Sequence, residues 1–212
     1  MTSAEEVYRT KVREALIRLS ACIRFVHAFQ ESNDVLQLES GALQARKALE
    51  AVAFASIAPN KEQYKNLRAQ AETPADYRRD YNARKIFQLV GAINKDFYPV
   101  PLLEPTRGAS GLSHLDRKKD GYLTKKEFEA LYNRLGKFLH ADNPWAENKG
   151  HSQLAIDLPV MMARLAKLLE FHFISIRVPN FNGAWVVSAA GPNQPITIVT
   201  SKAKGEYMVQ PK

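Results

Sequence analysis

Sulfur is scarce in this chain: Cys22 is the one cysteine in 212 residues. A lone thiol excludes an internal disulfide framework, and its position among apolar residues at helical spacing predicts a small buried hydrophobe. Long apolar runs are also lacking, and no stretch approaches the roughly 18 residues that a membrane-spanning helix needs. The first six residues carry Glu5 and Glu6 where a secretory leader would carry basic and then apolar residues, so the chain is expected in the cytoplasm with no membrane partner. No Gly-rich phosphate loop, Gly-x-Ser-x-Gly elbow or His-Glu-x-x-His occurs, which argues against a nucleotide kinase, a serine hydrolase and a zincin. His114, His151 and His172 lack the short spacings of zinc ligands, so neither a metal nor another cofactor is expected. Acidic residues are outnumbered, 22 Asp plus Glu against 30 Lys plus Arg, and the resulting charge of +8 favours polyanionic partners such as nucleic acid.

What is present reads as mainly α. Tyr8, Val12, Ala15, Leu16, Leu19, Cys22, Ile23, Val26 and Phe29 recur at steps of three and four, predicting a long amphipathic helix over residues 4–31. Ser32-Asn33-Asp34 supplies turn and cap residues, and a second helix follows to Pro59, antiparallel to the first because the connection is short. Ser40-Gly41 is expected to weaken or bend its first turns. Helices are also predicted over 60–70, 75–94 (Tyr77, Tyr81, Ile86, Leu89, Val90 and Ile93 inward), 125–140 and 153–170. Between Lys95 and Leu123, Pro and Gly break every period and predict a long loop. After residue 170 come β-rich runs at 171–178, 184–190, 196–200 and 207–209, separated by Asn182-Gly183, Gly191-Pro192 and Lys204-Gly205. The expected architecture is an antiparallel helical bundle over residues 1–170 with a small antiparallel sheet over 171–212 packed on it.

Asp116, Asp120, Gly121 and Glu127 match places in a calcium-binding EF-hand loop, but Lys118 takes a ligand position and Arg117 and Lys119 add repulsive charge. A simpler reading makes Asp120-Gly121 a turn, Thr124 an N-cap and Glu127 its capping-box partner.

In the helix so begun, Phe128, Leu131, Leu135, Phe138 and Leu139 form the predicted buried face. Arg134, Lys137 and His140 stand three residues apart on the other side, in a strip about 120° wide, with Asn133 beside it. Gly136 at the margin would let a second helix approach closely. Such a strip is compatible with a merely solvated helix face. It also holds the parts of metal-independent phosphodiester chemistry: a guanidinium to hold phosphate and an imidazole that titrates near neutrality.

Arg134-Leu135-Gly136-Lys137-Phe138-Leu139-His140 resembles the Arg-x(4–6)-His element of the HEPN superfamily, the higher eukaryotes and prokaryotes nucleotide-binding proteins. Three further segments are similar to uncharacterised bacterial HEPN-like proteins: Arg46-Lys47-Ala48-Leu49-Glu50, Asn94-Lys95-Asp96-Phe97-Tyr98-Pro99 and Leu139-His140-Ala141-Asp142-Asn143-Pro144-Trp145. The likeness covers roughly residues 4–170 in helical layout. It implies a HEPN-like bundle acting as a homodimeric, metal-independent endoribonuclease, with a toxin–antitoxin or antiphage partner; the alternative is a non-catalytic RNA- or protein-binding module. It further implies Arg134 and His140 as catalytic residues and Lys137, Asn133 and Asn143 as substrate-binding residues. Arg46 and Glu50, one helical turn apart, read as a surface pair, or as support for His140 if the bundle brings them beside it. His27 reads as a boundary residue, Arg117-Lys118-Lys119 with Lys125-Lys126 as a solubilising loop or an RNA track, and Trp145 as a candidate base-stacking ring.

Overall fold

The computed structural model describes residues 2–71, 76–107, 113–141, 145, 150–179 and 181–203. Helix α1 spans Ala4–Ser32 and α2 spans Val35–Ile57. Ser3 caps α1 by accepting from the Glu6 amide, and Asp34 caps α2 by accepting from that of Leu36. Between them Asn33 takes a left-handed conformation (φ 55°), which Asn tolerates better than most residues, and the chain reverses. The hairpin is antiparallel, with Arg18 bonded to Gln44 and Lys11 over the Phe54 ring. The expected weak point at Gly41 is an intimate contact instead. α2 stays helical through it, and a Cβ there would sit 3.4 Å from both Phe25 and Val26. Cys22 is fully buried beside this contact, and burial pushes its thiol up to about 12.

A single-turn 3-10 helix (Ala58–Asn60) leads to α3 (Lys61–Ala69), and α4 (Ala83–Ile93), α5 (Lys125–Lys137) and α6 (His151–Glu170) complete the bundle. α2 packs against α1, α4 and α5, while α6 closes on α1. The helix expected over 75–94 is shorter. Asp76 caps a 3-10 turn (Tyr77–Arg79), Asp80 turns inward, and Asn82 starts α4 by accepting from the Lys85 amide. Tyr81, expected inside, is 77% exposed. Pro74 and Ala75 lie outside the described residues.

The expected loop before α5 contains three two-residue strands: β1 (Val100–Pro101), β2 (Thr106–Arg107) and β3 (Ser113–His114). β4 (Phe171–Val178) follows α6 directly and pairs with β5 (Phe181–Ser188), which pairs with β6 (Thr197–Lys202). The sheet is antiparallel with order β1-β4-β5-β6, so β1 is an edge, where Pro101 removes no ladder hydrogen bond. Val178 opposes Phe181, which places Asn182 and Gly183 inside β5 and not in a turn. A Cβ at Gly183 would collide with the Ser201 carbonyl oxygen; the glycine answers a close approach of β6. The strand expected at 207–209 lies outside the described residues.

The sheet is tied to the bundle by buried polar contacts. The His172 Nδ1 lies 3.0 Å from the Leu169 carbonyl and therefore carries the proton, leaving Nε2 to accept from the Tyr8 hydroxyl at 2.7 Å. Both residues are at most 1% exposed, and burial holds the imidazole down to about 4. Asn94 donates to the Ser175 carbonyl at 2.9 Å, joining the end of α4 to β4.

Candidate functional site

α5 begins with the expected capping box: the Thr124 hydroxyl accepts from the Glu127 amide, and the Glu127 carboxylate accepts from the Thr124 amide. Glu127 also pairs with Arg164 at 2.7 Å, so this carboxylate is committed to joining α5 with α6. From there Phe128, Leu131, Leu135 and Phe138 face the core as expected. Tyr132, outside the predicted inner face, is buried, and Leu139, predicted inside, is 36% exposed. The reason is that α5 ends at Lys137: the Phe138 amide bonds back to Gly136 and Leu135, and the chain leaves the helix before His140. The predicted strip therefore does not continue as a helix face.

The two ends of the Arg-to-His element engage different neighbours. Arg134 donates through Nη1 to Asp157 on α6 at 2.7 Å, and Gln153 donates to the other Asp157 oxygen at 2.8 Å. The hydrogen bond from Arg134, followed by that from Gln153, holds the Asp157 carboxyl below its usual range. His140 instead borders α2. It lines a cavity of 340 Å³ with Leu36, Glu39, Ser40, Leu43, Phe138 and neighbouring chain. Asn133 and Lys137 are exposed, and Asn143 lies outside the described residues.

Arg46 and Glu50 are drawn into the interface between α2 and α5. The Arg46 guanidinium lies over the Tyr132 ring, 3.9 Å from its centroid, and donates to the Tyr132 carbonyl at 3.1 Å and hydroxyl at 2.8 Å. That hydroxyl donates in turn to Glu50 at 3.1 Å, and Glu50 also stands 3.4 Å from Arg46 Nε. Burial pushes the Tyr132 phenol up, opposed by the backbone amide of Ala83 at the start of α4. Gly136 belongs to the same arrangement, since a Cβ there would sit 3.0 Å from Arg46 Nη1. The helix admitted by Gly136 is thus α2 of the same chain. Because the Arg46–Glu50 end of α2 meets Tyr132 and its Leu36–Leu43 end meets His140, the helices run antiparallel. Arg46 is 22% exposed and stands one turn of α2 from Leu43, which lines the His140 cavity. Arg134 lies about 160° around α5 from both Tyr132 and Gly136, on the opposite flank.

Chemically, the α2–α5 contact holds a fixed planar cation with a phenol and a carboxylate at Arg46, Tyr132 and Glu50, and the neighbouring cavity sets the His140 imidazole beside Glu39 and Ser40 against apolar walls. Glu39, Ser40 and Tyr132 were not foreseen from the sequence. Tyr132 could have been found by its i, i+4 spacing to Gly136, whereas nothing in the order of residues links Glu39 to His140. Of the other candidates, Trp145 is 90% exposed and His27 lies in solvent rather than at a packed boundary. The basic loop is partly engaged: Arg117 lies over Phe173 and Lys118 pairs with Glu170 at 3.2 Å. Among the described residues no helix is long and apolar enough to cross a membrane. Comparison with protein-family models, curated proteins and solved structures finds no match to the chain in any of the three.

Proposed function

We propose that the protein is a HEPN-like RNA-binding helical module working through a groove along the α2–α5 contact, running from the Arg46–Tyr132 cluster to the His140 cavity. The observation that carries this reading is Arg46: its guanidinium is held over the Tyr132 ring, with Glu50 beside its Nε and 22% of the side chain exposed. A guanidinium ordered in advance binds phosphate with little further loss of freedom, and exposed Lys47 and Lys137 add positive charge on either helix. The apolar walls near His140 suit an unstacked base. Arg134 is less suited to this role, because a phosphate would have to displace Asp157.

A second reading, metal-independent endoribonuclease acting as a homodimer in a toxin or antiphage system, is favoured by a separate observation. His140 shares its cavity with Glu39 and Ser40, about two turns of α2 from Arg46. There the imidazole would take the proton of a ribose 2′-hydroxyl as that oxygen attacks phosphorus. The bond from phosphorus to the 5′-oxygen breaks, that oxygen takes up a proton, and a 2′,3′-cyclic phosphate remains.

Both readings are tested by titrating labelled single-stranded RNA with the full chain across a salt series and by incubating it with total RNA in EDTA. Binding whose logarithm falls linearly with log salt is expected, weakened roughly tenfold in Arg46→Gln by loss of one charge-assisted phosphate contact. Absence of binding at low salt overturns the RNA reading. Strand scission in EDTA that disappears in His140→Ala selects the nuclease, and an intact RNA pool selects the binding module.

A further inference from the structure

Between α3 and α4, the sequence Tyr77-Arg78-Arg79-Asp80-Tyr81-Asn82-Ala83-Arg84-Lys85 places four basic and two aromatic residues within nine. Its midpoint is anchored from beneath. Asp80 accepts from Arg68 at 2.8 and 3.0 Å and from the Tyr64 hydroxyl at 2.8 Å, and the Arg68 and Asp80 side chains are 9% and 8% exposed. With Asp80 drawn inward, its neighbours Arg79 and Tyr81 are exposed, Tyr81 to 77%. Arg84 and Lys85 are exposed on the first turn of α4. Arg78 reaches solvent although it pairs with Asp76 at 2.8 Å, and with Lys65 and Tyr77 it lines an adjoining cavity of 410 Å³. An aromatic ring this exposed does little for the core, and flanking cations on a rigidly tethered segment make it a platform.

The strip also adjoins the groove. α4 starts at Ala83, whose amide faces the same Tyr132 hydroxyl that Arg46 and Glu50 hold.

We infer that residues 77–85 form a track for single-stranded RNA continuous with the groove, one base stacking on Tyr81 while Arg79, Arg84 and Lys85 meet the phosphates. The inference rests on the RNA-binding reading and extends it to the form of the ligand. An unpaired base offers its face to the ring, whereas a duplex hides its base faces and an acidic peptide engages the cations but not the ring.

The test is fluorescence anisotropy of the full chain with labelled oligouridine, with the same strand in a duplex, and with polyglutamate as competitor. Tyr81→Ala is expected to weaken oligouridine binding roughly tenfold, while Tyr81→Phe, which keeps the ring, retains it. Replacing Arg79, Arg84 and Lys85 together by Gln is expected to reduce the log–log salt slope by about 2, from three single-strand phosphate contacts. Circular dichroism of each variant matching the intact protein confirms that an altered affinity is a surface effect. Oligouridine bound equally well by Tyr81→Ala overturns the track and leaves the groove reading standing. Preference for the duplex, or polyglutamate competition that weakens in Tyr81→Ala, likewise overturns it. No binding of any RNA overturns track and groove reading together.

Discussion

Arg68 with Asp80 and Arg134 with Asp157 are the same chemical pair in two settings. The first lies beneath the turn before α4 with both side chains under 10% exposed, is bidentate, and takes a third hydrogen bond from Tyr64. The second joins α5 to α6 at the surface, 35% and 29% exposed, through Arg134 Nη1. Histidines divide the same way: His172 is sealed against Tyr8, while His140 stands at the mouth of a cavity. Burial therefore separates groups sealed into the fold from groups near the surface, and residue type alone does not.

That contrast is broken most severely at Asp80. In Asp80→Ala the Arg68 guanidinium stays buried without its counter-charge, and removing one partner of a buried pair costs about 3–5 kcal/mol. Urea denaturation should show the unfolding free energy falling by that amount; a loss below about 1 kcal/mol would mean that the pair behaves like a surface one.

The dry histidine comes next. His172 is held near 4 in the folded chain by burial, against a reference value near 6.5, so the unfolded state binds the extra proton more readily. Its stabilising contribution is complete above about pH 6.5 and is lost as pH falls towards 4, reaching about 3 kcal/mol by linkage. Stability measured from pH 7 to 4 should fall accordingly. His172→Gln, whatever its starting stability, should flatten that part of the profile, and an unchanged slope would remove His172 as its source.

How much of this was readable beforehand depended on whether the cause was local. The α1–α2 hairpin, the Thr124–Glu127 cap and the helical bundle with its small sheet follow from periodicity and capping chemistry within a few residues. The break before α4 was missed because Asp80 is pulled inward by Arg68 and Tyr64, partners twelve and sixteen residues away. Gly183 was misread as a turn because the Ser201 carbonyl that requires it comes from another strand. At the candidate site, Arg46 and His140 were recognised as chemistry-bearing residues. Their placement along the same α2–α5 contact was not legible, since helical phase on α5 fails where the helix ends at Lys137 and the α2 partner is more than eighty residues away.

The smallest expected effect sharpens the comparison most. Arg134→Gln removes an exposed ion pair whose Coulomb gain is screened by solvent, so stability should change by less than about 1 kcal/mol. RNA affinity should also stay within about twofold, because one peripheral charge on the flank away from the groove contributes only to the diffuse field. Arg46→Gln has the same change of charge but lies within the groove, stacked on Tyr132, and should weaken binding by roughly tenfold. Comparing the two variants at one salt concentration cancels the net-charge effect and leaves position as the variable. Equal losses would place the ligand across α5 as a whole, and a greater loss from Arg134→Gln would return the phosphate contact to the arginine of the Arg-to-His element, with Asp157 as its displaceable guard.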